Sequence, residues 1–251
     1  MRKNLIPAIS ICFTFSFCFQ NKSVAQSQSS ESDTVFYKKA ITSTVLLYHE
    51  QMGNQRGVFN GVSYYGYAFP FEQGHPYFNS SNPEPGSIIY DHIFYPAVLL
   101  SYDEVADVVV LHQSNRSIQL HSNNISRFEI LTHKFIHFPD DVLVQSAIKP
   151  GFYELLYEGK VRLLKKETKK ISDYIRTKGE GVLKNVEIET KYYIQKNNYI
   201  YAVKNMQSVF QIYNDKRDKI DHFLQTKQLS YKKDRDRMLM EVTAFYDQTT
   251  E

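Results

Sequence analysis

Between Ser87 and Lys204 the chain changes character every few residues, and this limits the folds open to it more than any other feature. Short runs rich in β-branched and aromatic side chains alternate with polar turn segments of two to six residues. Val98–Tyr102 and Val108–Leu111 flank the acidic turn Asp103-Glu104-Val105-Ala106-Asp107. Ser117–His121, Arg127–Ile130 and Lys134–Phe138 follow. Phe152–Tyr157 and Lys160–Lys165 meet at Glu158-Gly159, and Val186–Ile194 and Tyr199–Val203 meet at Lys196-Asn197-Asn198. Connections this short cannot carry the crossovers that parallel strands need, so the pairing is predicted to be antiparallel. The 19 tyrosines suit strands with one face wet. Thr168–Leu183, charged and broken by glycine, reads as an exposed loop.

The flanks differ. Tyr37, Ile41, Thr44, Tyr48 and Met52 recur at helical spacing and predict a helix near 36–51, against the β-prone run Thr42–Val45. Phe59–Phe78 interleaves eight aromatics with glycines, which break helices, so it reads as strand and turn with aromatics that pack or face a groove. After Asn205 two apolar stripes appear, Ile220-Phe223-Leu224 and Met238-Leu239-Val242-Phe245-Tyr246, at spacings that make helices. The predicted fold class is α+β: an antiparallel β-meander, as a curved sheet or partial barrel, with an N-terminal helix and C-terminal helices. Residues 36–204 form the mainly β part and 205–251 the helical segment packed on it.

The first 25 residues have the form of a secretory signal peptide. Arg2 and Lys3 precede an apolar run from Leu5 to Phe19, and Ser23 and Ala25 are the small residues of a cleavage site between Ala25 and Gln26. The run is shorter than the roughly 18–20 residues that span a bilayer. Phe17 before Cys18 is too large for a lipidation site. The segment carries three of the 30 basic side chains and none of the 27 acids, so its removal leaves a neutral chain and weakens any nucleic-acid reading. It also carries both cysteines, Cys12 and Cys18, leaving no disulfide and no thiol chemistry. The expected location is periplasmic, outer-membrane associated or secreted, with no transmembrane span in the mature chain. Gln26–Asp33 is polar and reads, with the residues up to 35, as a flexible mature N-terminus.

No catalytic template is complete. His49-Glu50 begins like a zinc-protease helix, but Gly53 stands where the second histidine must be. Gly61-Val62-Ser63 begins like a nucleophile elbow, but Tyr65 replaces the second glycine. Gly179-Glu180-Gly181 lacks the rest of a phosphate loop. Asp103, Glu104 and Asp107 lack the remaining ligands of a calcium loop and read as solvated carboxylates. His133 and His137 share a strand face, with His112 and His121 on nearby strands, and read as half-buried strand residues rather than metal ligands. No catalytic, cofactor or metal residue is therefore assigned. Core packing is the favoured reading of the aromatic segment. If it does face a groove, Tyr64, Tyr65, Tyr67, His75 and Tyr77 are the ligand surface. Asp33-Thr34-Val35 is similar to the short site at which Bacteroidota O-glycosylate exported proteins.

Several segments together resemble an uncharacterised family of exported β-rich proteins of Bacteroidota: Asn60–Tyr64, Gly74–Phe78, Gly86–Tyr90, Leu99–Asp103, Gly151–Lys160 and Lys191–Ile194. The resemblance implies an envelope location and a β-rich fold, and no activity. The expectation is a non-catalytic structural or binding protein of the cell envelope, with an envelope protein or glycan as partner. A hydrolase of glycans or peptides using unmarked acids such as Asp91, Asp103 or Glu154 is the alternative, and a ligand-binding β-barrel a third.

Overall fold

The computed structural model describes residues 36–37, 39–41, 43–44, 47, 57–139, 148–174 and 183–249. The predicted export signal at 1–25, residues 26–35, the His49–Gly53 motif and Gly179–Gly181 lie outside the described residues. The chain divides into a unit from Met1 to Ile41 and a unit from Thr42 to Glu251. In the first, residues 36–37 and 39–41 are helical, as the spacing predicts, and Phe36 and Tyr37 meet edge to face.

The second unit is built on one antiparallel sheet of 11 strands. They are β1 (Val62–Ser63), β2 (Glu84–Tyr90), β3 (Ile93–Asp103), β4 (Val108–Gln113), β5 (Arg116–Gln119) and β6 (Ile125–Ile130). β7 (His133–Phe138), β8 (Gly151–Glu158), β9 (Arg162–Tyr174), β10 (Leu183–Lys196) and β11 (Tyr199–Val203) complete it. The spatial order is β1-β5-β4-β3-β2-β6-β7-β8-β9-β10-β11. Two meanders, β2 to β5 and β6 to β11, therefore join where β6 returns to pair with β2. Asp91 and His92, and again Asn197 and Asn198, take positive φ on both central positions, the two-residue turn whose twist matches that of a hairpin. The predicted strands all form. The predicted loop at Thr168–Leu183 is different: its beginning and end belong to β9 and β10, which pair from Arg162↔Gln195 to Tyr174↔Leu183.

The sheet is open but strongly curled. β3 and β8 are four strands apart, about 19 Å on a flat sheet. Yet the rings of Tyr102 on β3 and Phe152 on β8 lie 5.8 Å apart. Phe128 and Phe135 stack at 4.6 Å in the same interior, which side chains from β2 to β8 fill. Beyond β8 the sheet is covered by helices α1 (Met206–Ile212), α2 (Arg217–Lys227) and α3 (Arg235–Thr249). Asn205 starts α1 with a reciprocal cap: its side chain accepts the Ser208 N–H at 3.0 Å while Ser208 Oγ accepts the Asn205 N–H at 3.1 Å. Leu163, Tyr192, Ile194 and Val203 pack with Ile220, Met238, Leu239 and Val242 under the helices. Alternation sends Leu164, Tyr193 and Ile200 to the other face, with Tyr153 and Phe138. Among the described residues no helix is long and apolar enough to cross a membrane.

Candidate functional site

The acidic turn is the first place where polar groups converge. Asp103 is 1 % exposed. One carboxyl oxygen accepts the Tyr64 hydroxyl at 2.7 Å and the Tyr67 hydroxyl at 3.0 Å. The other accepts the N–H groups of Val105 and Ala106 at 2.9 and 3.0 Å. Burial and these contacts hold both phenols far above their ordinary pKa. Tyr77 joins from the aromatic segment: it bridges to Asp103 through the backbone, and its hydroxyl lies 3.3 Å from that of Tyr64. Of the five residues proposed as a ligand surface, then, three gather on one buried carboxyl group. His75 is half-buried, its imidazole held below its ordinary pKa by burial and by Lys169. Tyr65 is 91 % exposed and faces solvent.

The reading of these acids as solvated is corrected by the curl of the sheet. Glu104 is 3 % exposed, with Lys169 Nζ 3.1 Å from its Oε2. That ammonium donates its hydrogen bond elsewhere, to the Tyr77 carbonyl. Asp107 is met by Lys166 at 2.7 Å, and Lys166 also donates to the Phe152 carbonyl at 2.9 Å. The Tyr102 hydroxyl donates to Asp107 as well, at 2.5 Å. Gly151 faces this group at φ +128°, and a Cβ there would lie 2.0 Å from the Asp107 carboxyl oxygen, so any other residue would be strained there and would displace that carboxyl group. The three acids thus fasten the end of β3 to the aromatic segment and to β9.

The other candidates lie apart. Asp91 occupies the turn at the opposite end of β3 from Asp103, about 33 Å away along an extended strand. Glu154, on β8, faces His133 at 2.6 Å and Lys165 at 3.7 Å. His112 lies between Ser101 and Ser117, four strands from His133 in the sheet order, and His137 packs on Phe152. Among the described residues no group of three His, Cys, Asp or Glu side chains is placed to hold a metal.

An open cleft beside β10 has no local signal in the sequence. β10 is 14 residues long, and β11 pairs only with its last five, Tyr192–Lys196. At the other end Gln73 bridges Asn185, and Val186 donates to the Gln73 carbonyl at 3.0 Å. Between these, no described residue pairs with the outer edge of Glu187–Lys191. The open cleft, of about 790 Å³, adjoins the Glu189–Lys191 end of this notch and reaches over the neighbouring face of β9. Six cations and two carboxyl groups line it. Lys166 and Lys191 are occupied by Asp107 at 2.7 Å and Glu189 at 3.0 Å. Lys149, Lys170, Lys204 and Arg235 are exposed and form no direct ion pair among the described residues, although Lys170 and Lys149 act on Glu189 at longer range. They come from the approach to β8, from β9, from the end of β11 and from the start of α3, so no local motif announces them. The signal that was available is strand length: Tyr199–Val203 is too short to cover Val186–Ile194.

Comparison of the chain with protein-family models, with curated proteins and with solved structures finds no match.

Proposed function

We propose that this chain is an exported, non-catalytic binding protein of the cell envelope, acting in the periplasm, at the outer membrane or outside the cell. The observation that carries the reading is the division of labour among its polar groups. The acids and phenols that could do chemistry at the β3–β4 turn are bonded into the framework, whereas four of the six cations of the cleft beside β10 are exposed and form no direct ion pair among the described residues. Asp91, Asp103 and Glu154 do not meet in a cleft, which supports a binding role over hydrolysis by acid–base pairs. The aromatic filling of the curled sheet supports a solid core over an internal ligand cavity. The signal-like N-terminus and the resemblance to exported Bacteroidota proteins support the location.

Fractionation of cells expressing the native chain, with N-terminal sequencing, tests the location. The reading expects a chain beginning at Gln26 in the envelope or the medium; Met1 retained on a cytoplasmic protein overturns it. The binding role is tested by cross-linking in the envelope fraction. A stable partner is expected, and a chain that stays monomeric and partnerless there counts against it.

A further inference from the structure

From the β10 notch we infer that its open edge, Glu187–Lys191, receives an extended acidic peptide segment as an added strand. This rests on the binding reading above and names the partner's chemistry. Strand amides point alternately to the two sides. Val186 sends its N–H outward to Gln73. Ile188 and Thr190 therefore turn their N–H and C=O groups the same way, toward the notch, where no described residue receives them. At the next outward position, Tyr192, pairing resumes with Val203 of β11. The opening is about 17 Å long, room for a strand of about five residues. Sheet edges of this kind are usually covered, and this one presents Ile188 at 60 % exposure.

An added strand would gain main-chain hydrogen bonds from the edge and its selectivity from side chains around it. Those side chains are Lys149, Lys170, Lys204 and Arg235, which line the adjoining cleft and form no direct ion pair among the described residues, Lys149 and Lys170 acting on Glu189 only at longer range. Arg235 is held in place over the rings of Tyr231 and Tyr192, at 4.6 and 5.6 Å. The occupant they fit carries carboxylates. A peptide is favoured over an acidic glycan because sugars need open aromatic faces to stack on. The tyrosines of this cleft, Tyr153, Tyr192 and Tyr193, are only 2, 6 and 8 % exposed.

The test uses the purified mature chain and labelled acetyl-(Glu-Val)3-amide, followed by fluorescence anisotropy. Three comparison probes are the Lys-Val peptide, a Glu-Val peptide N-methylated on alternate residues, and polygalacturonate. The Lys-Val and N-methylated peptides are expected to bind at least about tenfold more weakly, the equivalent of one lost charge-assisted hydrogen bond. The double variant Lys149→Glu/Lys204→Glu should weaken the parent peptide at least as much. Thr190→Pro removes an outward N–H without touching the β9 ladder and should do the same; circular dichroism establishes that it folds. If it does not, the N-methylated peptide makes the same test on the unaltered protein. Equal binding of the N-methylated and parent peptides overturns the inference. So does polygalacturonate binding that displaces the peptide and is unmoved by Thr190→Pro, which assigns the cleft to a glycan. Absence of any peptide binding also overturns it, and a partner cross-linked in the envelope would then leave the broader binding reading standing.

Discussion

Asp103 shows how a single side chain organises this molecule. A buried carboxyl group is costly unless its oxygens are satisfied, and here four donors from two segments meet it. Asp103→Ala strands two phenols and two backbone amides and should cost about 3 kcal/mol or more, read as a lower urea midpoint. A loss below about 0.5 kcal/mol, the range of ordinary surface changes, would contradict the assigned role. Its neighbour Glu104 makes a prediction in pH. Burial, then the nearby Glu167, push its carboxyl from 4.5 up to about 7, against the pull of Lys169. Between those values the folded protein holds a proton that the unfolded chain has released. The contribution is therefore complete below about pH 4.5 and is lost as pH rises through about 7. It should amount to roughly 1–3 kcal/mol, and Glu104→Gln should flatten this part of the stability profile. An unchanged slope between pH 5 and pH 8 in that variant would refute it. Neither acid could be placed from the sequence. A run of carboxyl groups between two strands has the composition of a solvated turn, and the partners that bury it, Tyr64, Tyr67 and Lys169, stand 39, 36 and 65 residues away.

Single elements were far more legible. Runs of β-branched and aromatic residues between turn residues located the strands, and the stripe Met238-Leu239-Val242 located α3, because both signals are local. Leu239 is fully buried between α3 and the sheet, so Leu239→Ala should cost about 2–5 kcal/mol in chemical denaturation. The Asn205 cap is local as well, and Asn205→Ala should cost about 1 kcal/mol. A cost near zero for the leucine would mean that the helices do not pack on β9–β11 as described. The outer half of the β9–β10 hairpin was missed for a physical reason. Its lysines and glutamates have the composition of a loop, and they become strand residues because Glu72–Gln73 and Glu104 supply backbone partners. Lys169, the most hidden of these cations, is covered by the Glu104 side chain and the Tyr77 carbonyl.

At the scale of the whole molecule, the curl of the sheet and the notch in its edge have one origin. The chain makes strands of unequal length, so β9 and β10 run past β8 on one side and β11 on the other. The curl brings the β3–β4 turn and the aromatic segment back over part of that overhang. Gln73 covers β10 at Asn185, β11 covers it from Tyr192 onward, and among the described residues nothing pairs with the outer edge of the five between them. Order in the sheet, rather than any motif, collects the four cations in the cleft beside that opening. This is why the candidate site could not be read from the sequence although most of its strands could.

Amide hydrogen exchange along β10 of the free mature protein tests this account most directly. Val186, Ile188, Thr190, Tyr192 and Ile194 all direct their N–H groups to the outer edge. Val186, Tyr192 and Ile194 should exchange slowly, and Ile188 and Thr190 rapidly until the acidic peptide is added. Slow exchange at Ile188 and Thr190 in the free protein would show the edge already covered and contradict the account.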